Sequence, residues 1–180
     1  MLKIYGMPLN GDDRHEAALR LLAREYETVW SCPMPEIALH PNGKPYFTNG
    51  AGFFSISHTK NYVFCALSDC EVGFDAEENR TVSQNAEEKI LSAQEKAVCD
   101  AAEDPSRQFL QFWTLKEAYL KFTGEGVFCT DLRDFSFDLS GQNPVLSGHP
   151  EVFLWSAQTE NLTLAVCSAR SRQPEIIFPA

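Results

Sequence analysis

A short apolar run from Leu2 to Tyr5 reads as a first strand. Behind it, Ala18, Leu19, Leu22, Ala23 and Tyr26 recur at the spacing of one helical face. That pattern predicts an amphipathic helix from Arg14 to about Tyr26, preceded by Asp12 and Asp13, with Arg20 and Arg24 off the apolar stripe. Proline and glycine concentrate between Pro33 and Gly52, which reads as loop and contains Gly43-Lys44-Pro45. Three short strands are then predicted at Phe53 to Ser57, Tyr62 to Ser68 and Val72 to Glu77, separated by the turns Thr59-Lys60-Asn61 and Asp69-Cys70-Glu71.

The second half changes period. Residues 83–104 carry Glu, Gln, Ala and Lys in helical proportions, and Ser92 followed by Glu95 reads as a capping box. Helix-favouring sequence continues from Ser106 to Phe122 and stops at Thr123-Gly124-Glu125-Gly126, where glycine can adopt the left-handed conformation that ends a helix. Strands are predicted at about 133–139, 152–157 and 161–169. Helix-then-strands is thus written twice, an α+β order. A faint echo supports duplication, since the run from Asn61 to Ser68 resembles the run from Asn161 to Ser168 in pattern. Nothing between 79 and 83 is long or biased enough to be a linker. The expectation is one globule of two similar lobes, 1–79 and 80–180, each a helix packed on a small antiparallel sheet.

Composition narrows the partners. The 180 residues carry a net charge of -10, a field that disfavours nucleic acid and anionic membrane as general partners. No apolar run approaches the roughly 20 residues of a membrane span, and the first residues lack the apolar stretch of a secretory signal, so a cytoplasmic location is expected. The six cysteines, at 32, 65, 70, 99, 129 and 167, form no Cys-x-x-Cys pair; reduced, buried thiols are expected rather than zinc or disulfides.

Two constellations can carry chemistry. In Val72-Gly73-Phe74-Asp75-Ala76-Glu77, alternation places Asp75 and Glu77 on one face and turns Phe74 and Ala76 to the core. Two carboxylates about 4 Å apart repel by about 4 kcal/mol at an effective dielectric of 20, which a hard divalent cation relieves. A solvated acidic strand end running into Glu78 gives the same pattern. In Trp113-Thr114-Leu115-Lys116-Glu117-Ala118-Tyr119-Leu120-Lys121, Glu117 and Lys121 share a helical face. They either point a metal ligand and a phosphate-binding ammonium into one cleft or form an ordinary surface pair; Trp113 reads as a core or lobe-interface anchor. His58, in Ser57-His58-Thr59, can donate to a phosphate or simply be solvated.

Taken in order, Gly43-Lys44-Pro45, Phe54-Ser55-Ile56-Ser57-His58-Thr59, Val72 to Glu77 and Phe112 to Lys121 resemble the 4′-phosphopantetheinyl transferases of the larger, pseudo-dimeric type, over about residues 43 to 126. The resemblance implies transfer of 4′-phosphopantetheine from coenzyme A to a serine of an apo acyl or peptidyl carrier protein by a monomer with Mg²⁺. It implies Asp75, Glu77 and Glu117 as Mg²⁺ ligands. His58 and Lys121 match phosphate contacts, with Lys116 a helper and Ser57 beside His58 on the coenzyme A side. Lys44 matches the nucleotide-side wall, and Glu95 the general base that takes the serine proton. The chain departs from the larger type in a shortened N-terminal segment and in Ser55, where Asn is frequent. A non-catalytic descendant that binds coenzyme A or carrier protein is the alternative, and a Mg²⁺-dependent phosphohydrolase a third reading.

Overall fold

A computed structural model of the chain describes residues 1–125 and 130–178, at Gln84 the backbone only. Strand β1 (Leu2–Pro8) leads into helix α1 (Arg14–Trp30), whose N-terminus is capped by Asp13 Oδ1, accepting the N–H groups of His15 and Glu16 at 3.0 Å each. The hairpin β2 (Ile37–Leu39) and β3 (Pro45–Phe47) is followed by β4 (Phe53–His58), β5 (Tyr62–Ser68) and β6 (Val72–Glu78). Helices α2 (Gln84–Ile90), α3 (Ala93–Ala101) and α4 (Pro105–Thr123) come next, then the short strands β7 (Phe137–Asp138) and β8 (Val145–Leu146), and finally β9 (Phe153–Gln158), β10 (Leu162–Ser168) and β11 (Glu175–Ile177).

The molecule is layered as helix, sheet, sheet, helix. The first sheet runs β11-β1-β5-β4 and the second β6-β10-β9. Alternation on β5 explains why its sequence is apolar almost throughout. Val63, Cys65 and Leu67 face α1, meeting Ala18, Leu21, Leu22 and Tyr26. Phe64 and Ala66 face the other way and join Leu2 and Ile4 against Val72, Phe74, Ala76, Leu164 and Val166 of the second sheet. The far side of that sheet, with Ala165, Cys167 and Leu154, packs on Leu115, Ala118 and Tyr119 of α4. Gly73 lets α4 come close: a Cβ there would lie 2.0 Å from the Ala118 carbonyl oxygen and 2.4 Å from the Phe122 nitrogen.

Several expectations are corrected. Helix α1 runs a turn further than Tyr26 because Trp30 packs on Tyr26, with ring centroids 4.5 Å apart, and on Phe47. Its buried stripe includes Ala17, Leu21 and Glu25, so Leu19 and Ala23 are only half-buried; Arg24 Nε–H donates to Glu25 Oε1 at 2.7 Å, which lets that carboxylate turn inward. The segment expected as loop forms the β2–β3 hairpin. Residues 83–104 break into two helices at Leu91-Ser92, where the capping box is present: Glu95 N–H donates to Ser92 Oγ and Ser92 N–H to Glu95 Oε2. Helix α4 ends at Gly124, φ 78°, as expected; Gly126 lies outside the described residues.

The strand expected at 133–139 shrinks to Phe137–Asp138 after a 3₁₀ turn at Leu132–Asp134. The Lys116 ammonium takes the Leu132 and Phe135 carbonyls ahead of it and Glu95 takes the Phe137 N–H, so only Phe137 and Asp138 are left to pair, with β8. Strand β11 was not expected and is parallel to β1, so the first sheet is not wholly antiparallel. Pairing also crosses the 79/80 division twice, β6 with β10 and β11 with β1. Cys65, Cys99 and Cys167 are free and buried, whereas Cys32 is exposed and Cys70 half-buried; Cys129 lies outside the described residues. No helix among the described residues is long and apolar enough to cross a membrane.

Candidate functional site

Strand β6 belongs to the second sheet by its ladder with β10, yet its free edge faces β4 of the first. Two serines of β4 bridge that gap. Ser55 Oγ accepts the Phe74 N–H at 3.0 Å and donates to the Phe74 carbonyl at 3.4 Å. Ser57 Oγ accepts the Ala76 N–H at 3.2 Å and donates to Asp75 Oδ1 at 2.8 Å. Helix α4 crosses the same place and brings Trp113, Glu117 and Lys121.

Asp75 is buried, and its two oxygens differ. Oδ1 takes the Ser57 hydroxyl and the Lys121 ammonium, each at 2.8 Å; Oδ2 is buried with no partner among the described residues. Lys121 also donates to the Ile56 carbonyl at 3.2 Å. Glu77 shares the face, as alternation requires, but both its oxygens are engaged: Trp113 Nε1–H donates to Oε1 at 2.8 Å and Arg80 to Oε2 at 2.6 Å. Glu117 is half-buried, and burial together with the Asp75 and Glu77 charges lifts its carboxyl from the ordinary 4.5 to about 7, with Lys121 opposing. A buried acceptor without a donor costs on the order of 1–3 kcal/mol, and beside it the Glu117 carboxyl is raised first by burial and then by the Asp75 charge.

Two cavities meet here. One of about 420 Å³ is lined by Lys44, Pro45, Phe54, Leu120 and Glu125 among others; one of about 380 Å³ is lined by His15, His58, Asp75, Glu77 and Trp113. Ile56, Glu117 and Lys121 line both, so the pair forms one elongated hollow with Lys121 at its waist.

Of the residues singled out in the sequence, Lys44, Ser57, His58, Asp75, Glu77, Glu117 and Lys121 are brought to this hollow. Lys44 and Ser57, like Glu77 and Lys121, already hold protein partners there. The Lys44 ammonium is bound by the Glu71 carboxylate and the Phe122 carbonyl, so it ties the β2–β3 hairpin to the end of α4. The Ser57 hydroxyl serves Asp75 and the β6 backbone. Lys121 closes on Asp75 and is not a surface partner of Glu117.

Glu95 and Lys116 are not brought there. They form a fully buried ion pair at 2.8 Å. Glu95 also accepts the N–H groups of Ser92 and Phe137, and Lys116 donates to the carbonyls of Leu132 and Phe135. Burial pushes the Lys116 ammonium below its ordinary value, with Glu95 opposing. Three of the four acceptor positions of the Glu95 carboxylate are taken and all three Lys116 protons are given, so both groups are committed within the buried pair. The residues expected as general base and phosphate helper are thus not brought to the hollow, and the pair organises the turn at 132–137.

Sequence reasoning missed Arg80, His15 and the Trp113 N–H. Arg80 stood three residues from Glu77, a spacing that could have suggested a clip; His15 and the Trp113 N–H gave no sequence signal of their neighbours.

Asp75 and Glu117 suit a hard divalent cation, because Asp75 Oδ2 lacks a donor and Glu117 sits in excess negative charge. Glu77 keeps one lone pair on each oxygen beside its bonds to Trp113 and Arg80; among the described residues no three His, Cys, Asp or Glu side chains are gathered as a ready metal site.

A family model described as the 4′-phosphopantetheinyl transferase superfamily matches residues 71–167. Similar proteins include the 4′-phosphopantetheinyl transferase psf-1 of Bacillus pumilus, 33% identical over 104 residues, which are 55% of this chain and 45% of that protein. The transferase gsp of Aneurinibacillus migulanus is 31% identical over 67% of this chain and 53% of its own length. The transferase AcpT of Salmonella typhi is 36% identical over 51% of each. The chain thus spans about half the length of the relatives it matches.

Proposed function

The chain belongs to the 4′-phosphopantetheinyl transferase superfamily, and on that premise we propose that it moves the 4′-phosphopantetheine group of coenzyme A onto a serine of an apo acyl or peptidyl carrier protein. The observation that carries this reading is the gathering of Asp75, Glu117, Lys121 and His58 on one elongated hollow, with Asp75 Oδ2 left without a partner. In the transfer, the serine oxygen bonds to the phosphorus next to pantetheine and gives up its proton. The bond from that phosphorus to the bridging oxygen breaks, and adenosine 3′,5′-bisphosphate leaves.

Such a reaction asks a protein chiefly for position and charge. Lys121, at the waist of the hollow, is placed to hold the pyrophosphate between the two cavities. His58, exposed on the wall of the smaller one, can donate to a phosphate oxygen. The hairpin tied down by Lys44 walls the larger cavity, which suits the nucleotide end. Glu95 is enclosed, so the serine proton passes to water in the hollow. Mg²⁺ would be held by Asp75 and Glu117, with Glu77 able to join through a lone pair left beside its bonds to Trp113 and Arg80; bound there it would neutralise pyrophosphate charge.

All these groups come from one chain, which supports a monomer as the working unit. The two sheets, each backed by a helix, support the reading of two related lobes that have exchanged strands across residue 79. The expected cytoplasmic setting goes with coenzyme A as co-substrate and with free cysteines.

The test is the intact mass of an apo carrier protein incubated with this chain, coenzyme A and Mg²⁺, beside an EDTA control. A metal-dependent gain of one phosphopantetheine is expected. No gain across fatty-acid and peptidyl carriers, with the chain folded and coenzyme A bound, would favour a non-catalytic binder.

A further inference from the structure

The two serines that join β4 to β6 look alike and are not. Both are buried, both lie on the same face of β4 because they are two residues apart, and both accept a backbone N–H from β6. Ser55 gives its proton back to the backbone, at the Phe74 carbonyl; Ser57 gives its proton to a side chain, at Asp75 Oδ1. Both serines border the hollow, but one hydroxyl closes on the β6 backbone and the other on the Asp75 side chain.

A carboxylate is two-fold symmetric about its own axis, so nothing intrinsic distinguishes Oδ1 from Oδ2. The neighbours do. The charged groups around Asp75 are Lys121, which donates to Oδ1 and to the Ile56 carbonyl, and Glu117 and Glu77, which repel. Lys121 alone would be a loose anchor, since an ammonium on a long stem follows either oxygen. Ser57 is a short, stiff one: its Oγ is held on the acceptor side by the Ala76 N–H, which fixes where its proton points. With Ser57 and Lys121 both on Oδ1, the carboxylate cannot turn without breaking two bonds, and Oδ2 is the oxygen left facing no donor.

Resting on the reading given above, we propose that Ser57 is a positioning residue that locks the rotation of Asp75 and so presents Oδ2 to a hard divalent cation. Its hydroxyl acts through Asp75 and makes no contact of its own with coenzyme A. Side chains that orient metal ligands in this way commonly govern affinity by 10–100-fold.

Mn²⁺ serves as the probe, its binding to the full chain followed by the loss of the free-ion electron paramagnetic resonance signal, without coenzyme A or carrier. Ser57→Ala is expected to weaken Mn²⁺ binding by about 10–100-fold, and Ser57→Thr, which keeps the hydroxyl, to restore most of it. Ser55→Ala is the control: it removes the sister bridge and lowers thermal stability, while Mn²⁺ affinity stays within about twofold of the unmodified chain. Should Ser57→Ala fail to fold, Ser57→Cys keeps the volume and weakens the donor, and an intermediate loss is expected. Unchanged affinity in the Ser57 variants, equal losses in Ser55→Ala and Ser57→Ala, or no Mn²⁺ binding by the unmodified chain would each overturn the proposal. The transferase reading fails separately: no transfer to any carrier, with the Mn²⁺ pattern as expected, leaves the positioning role standing. Transfer with Mn²⁺ affinity indifferent to Ser57 removes the positioning role alone.

Discussion

Lys121 lies four residues from Glu117 on α4, yet its ammonium closes on Asp75 Oδ1 of β6, 2.8 Å away. The pair joins a helix to a strand from the other side of the chain's midpoint. It also leaves Glu117 without the cation that its spacing offers.

Asp75→Ala should abolish transfer while leaving the fold intact, because the change removes one of several crowded negative charges. Far-ultraviolet circular dichroism should match the unmodified chain, and carrier mass should not change at saturating Mg²⁺. Lys121→Met should also lower transfer by at least about 100-fold, in the range that loss of one preorganised charge contact produces. Unlike Asp75→Ala it should destabilise the protein, since Asp75 is then left with a single donor. Retained turnover in Asp75→Ala would refute the assignment.

Glu117 makes stability depend on pH in a definite direction. Its carboxyl titrates near 7 when folded against the ordinary 4.5, so between those values the folded chain holds a proton that the unfolded chain has lost. This contribution is complete below the lower value and is lost as pH rises through about 7. Glu117→Gln should therefore gain up to about 3 kcal/mol over the unmodified chain at pH 8 and nearly nothing at pH 4. Denaturant unfolding at the two pH values measures it; parallel behaviour of the two proteins would contradict the raised value.

Breaking the Glu95–Lys116 pair should be a folding defect and not a chemical one. Removing one member strands a buried charge and costs about 3–5 kcal/mol, whereas replacing both by apolar residues of similar volume is close to neutral. Glu95→Ala should lose stability on that scale, and the double change Glu95→Leu with Lys116→Met should recover most of it. A general base would behave oppositely, with stability kept and rate per folded molecule down by about 10²–10⁴.

Gly73→Ala should be among the most damaging single methyl additions. The new Cβ meets backbone atoms of Ala118 and Phe122, which cannot swing aside as a side chain can. Overpacking usually costs about 1–3 kcal/mol, and here the upper end or more is expected. Because α4 carries Glu117 and Lys121, Mn²⁺ affinity should fall with stability, and both can be followed in one titration series.

The parts of the fold that local physics decides were legible in the sequence. Asp13 at the start of α1, Ser92 and Glu95 at the start of α3, and Gly124 after α4 all act as their types suggest. The alternation at Asp75 and Glu77 and the shared face of Glu117 and Lys121 likewise held. What escaped was decided by partners distant in sequence. Strands of two or three residues such as β2, β3, β8 and β11 carry too little period to be seen. Glu95 and Lys116 look like ordinary solvated helix residues until the backbone of 132–137 closes over them. Ser55 read as a departure from the family pattern, and the structure gives it a bridging role that depends on β6 lying beside it.

The seam between β4 and β6 has a kinetic consequence. In an antiparallel ladder alternate residues point their amides to the partner strand, so Gly73, Asp75 and Glu77 turn theirs to β10, while Phe74 and Ala76 turn theirs outward to Ser55 and Ser57. The outward amides are held by single hydroxyls instead of a strand, and Ser57, tied also to Asp75, is the firmer of the two. Deuterium uptake along β6 should therefore alternate, with Phe74 and Ala76 exchanging through small local openings and their neighbours only when the sheet itself opens. The strand that carries Asp75 would then be rigid along one edge and compliant along the other.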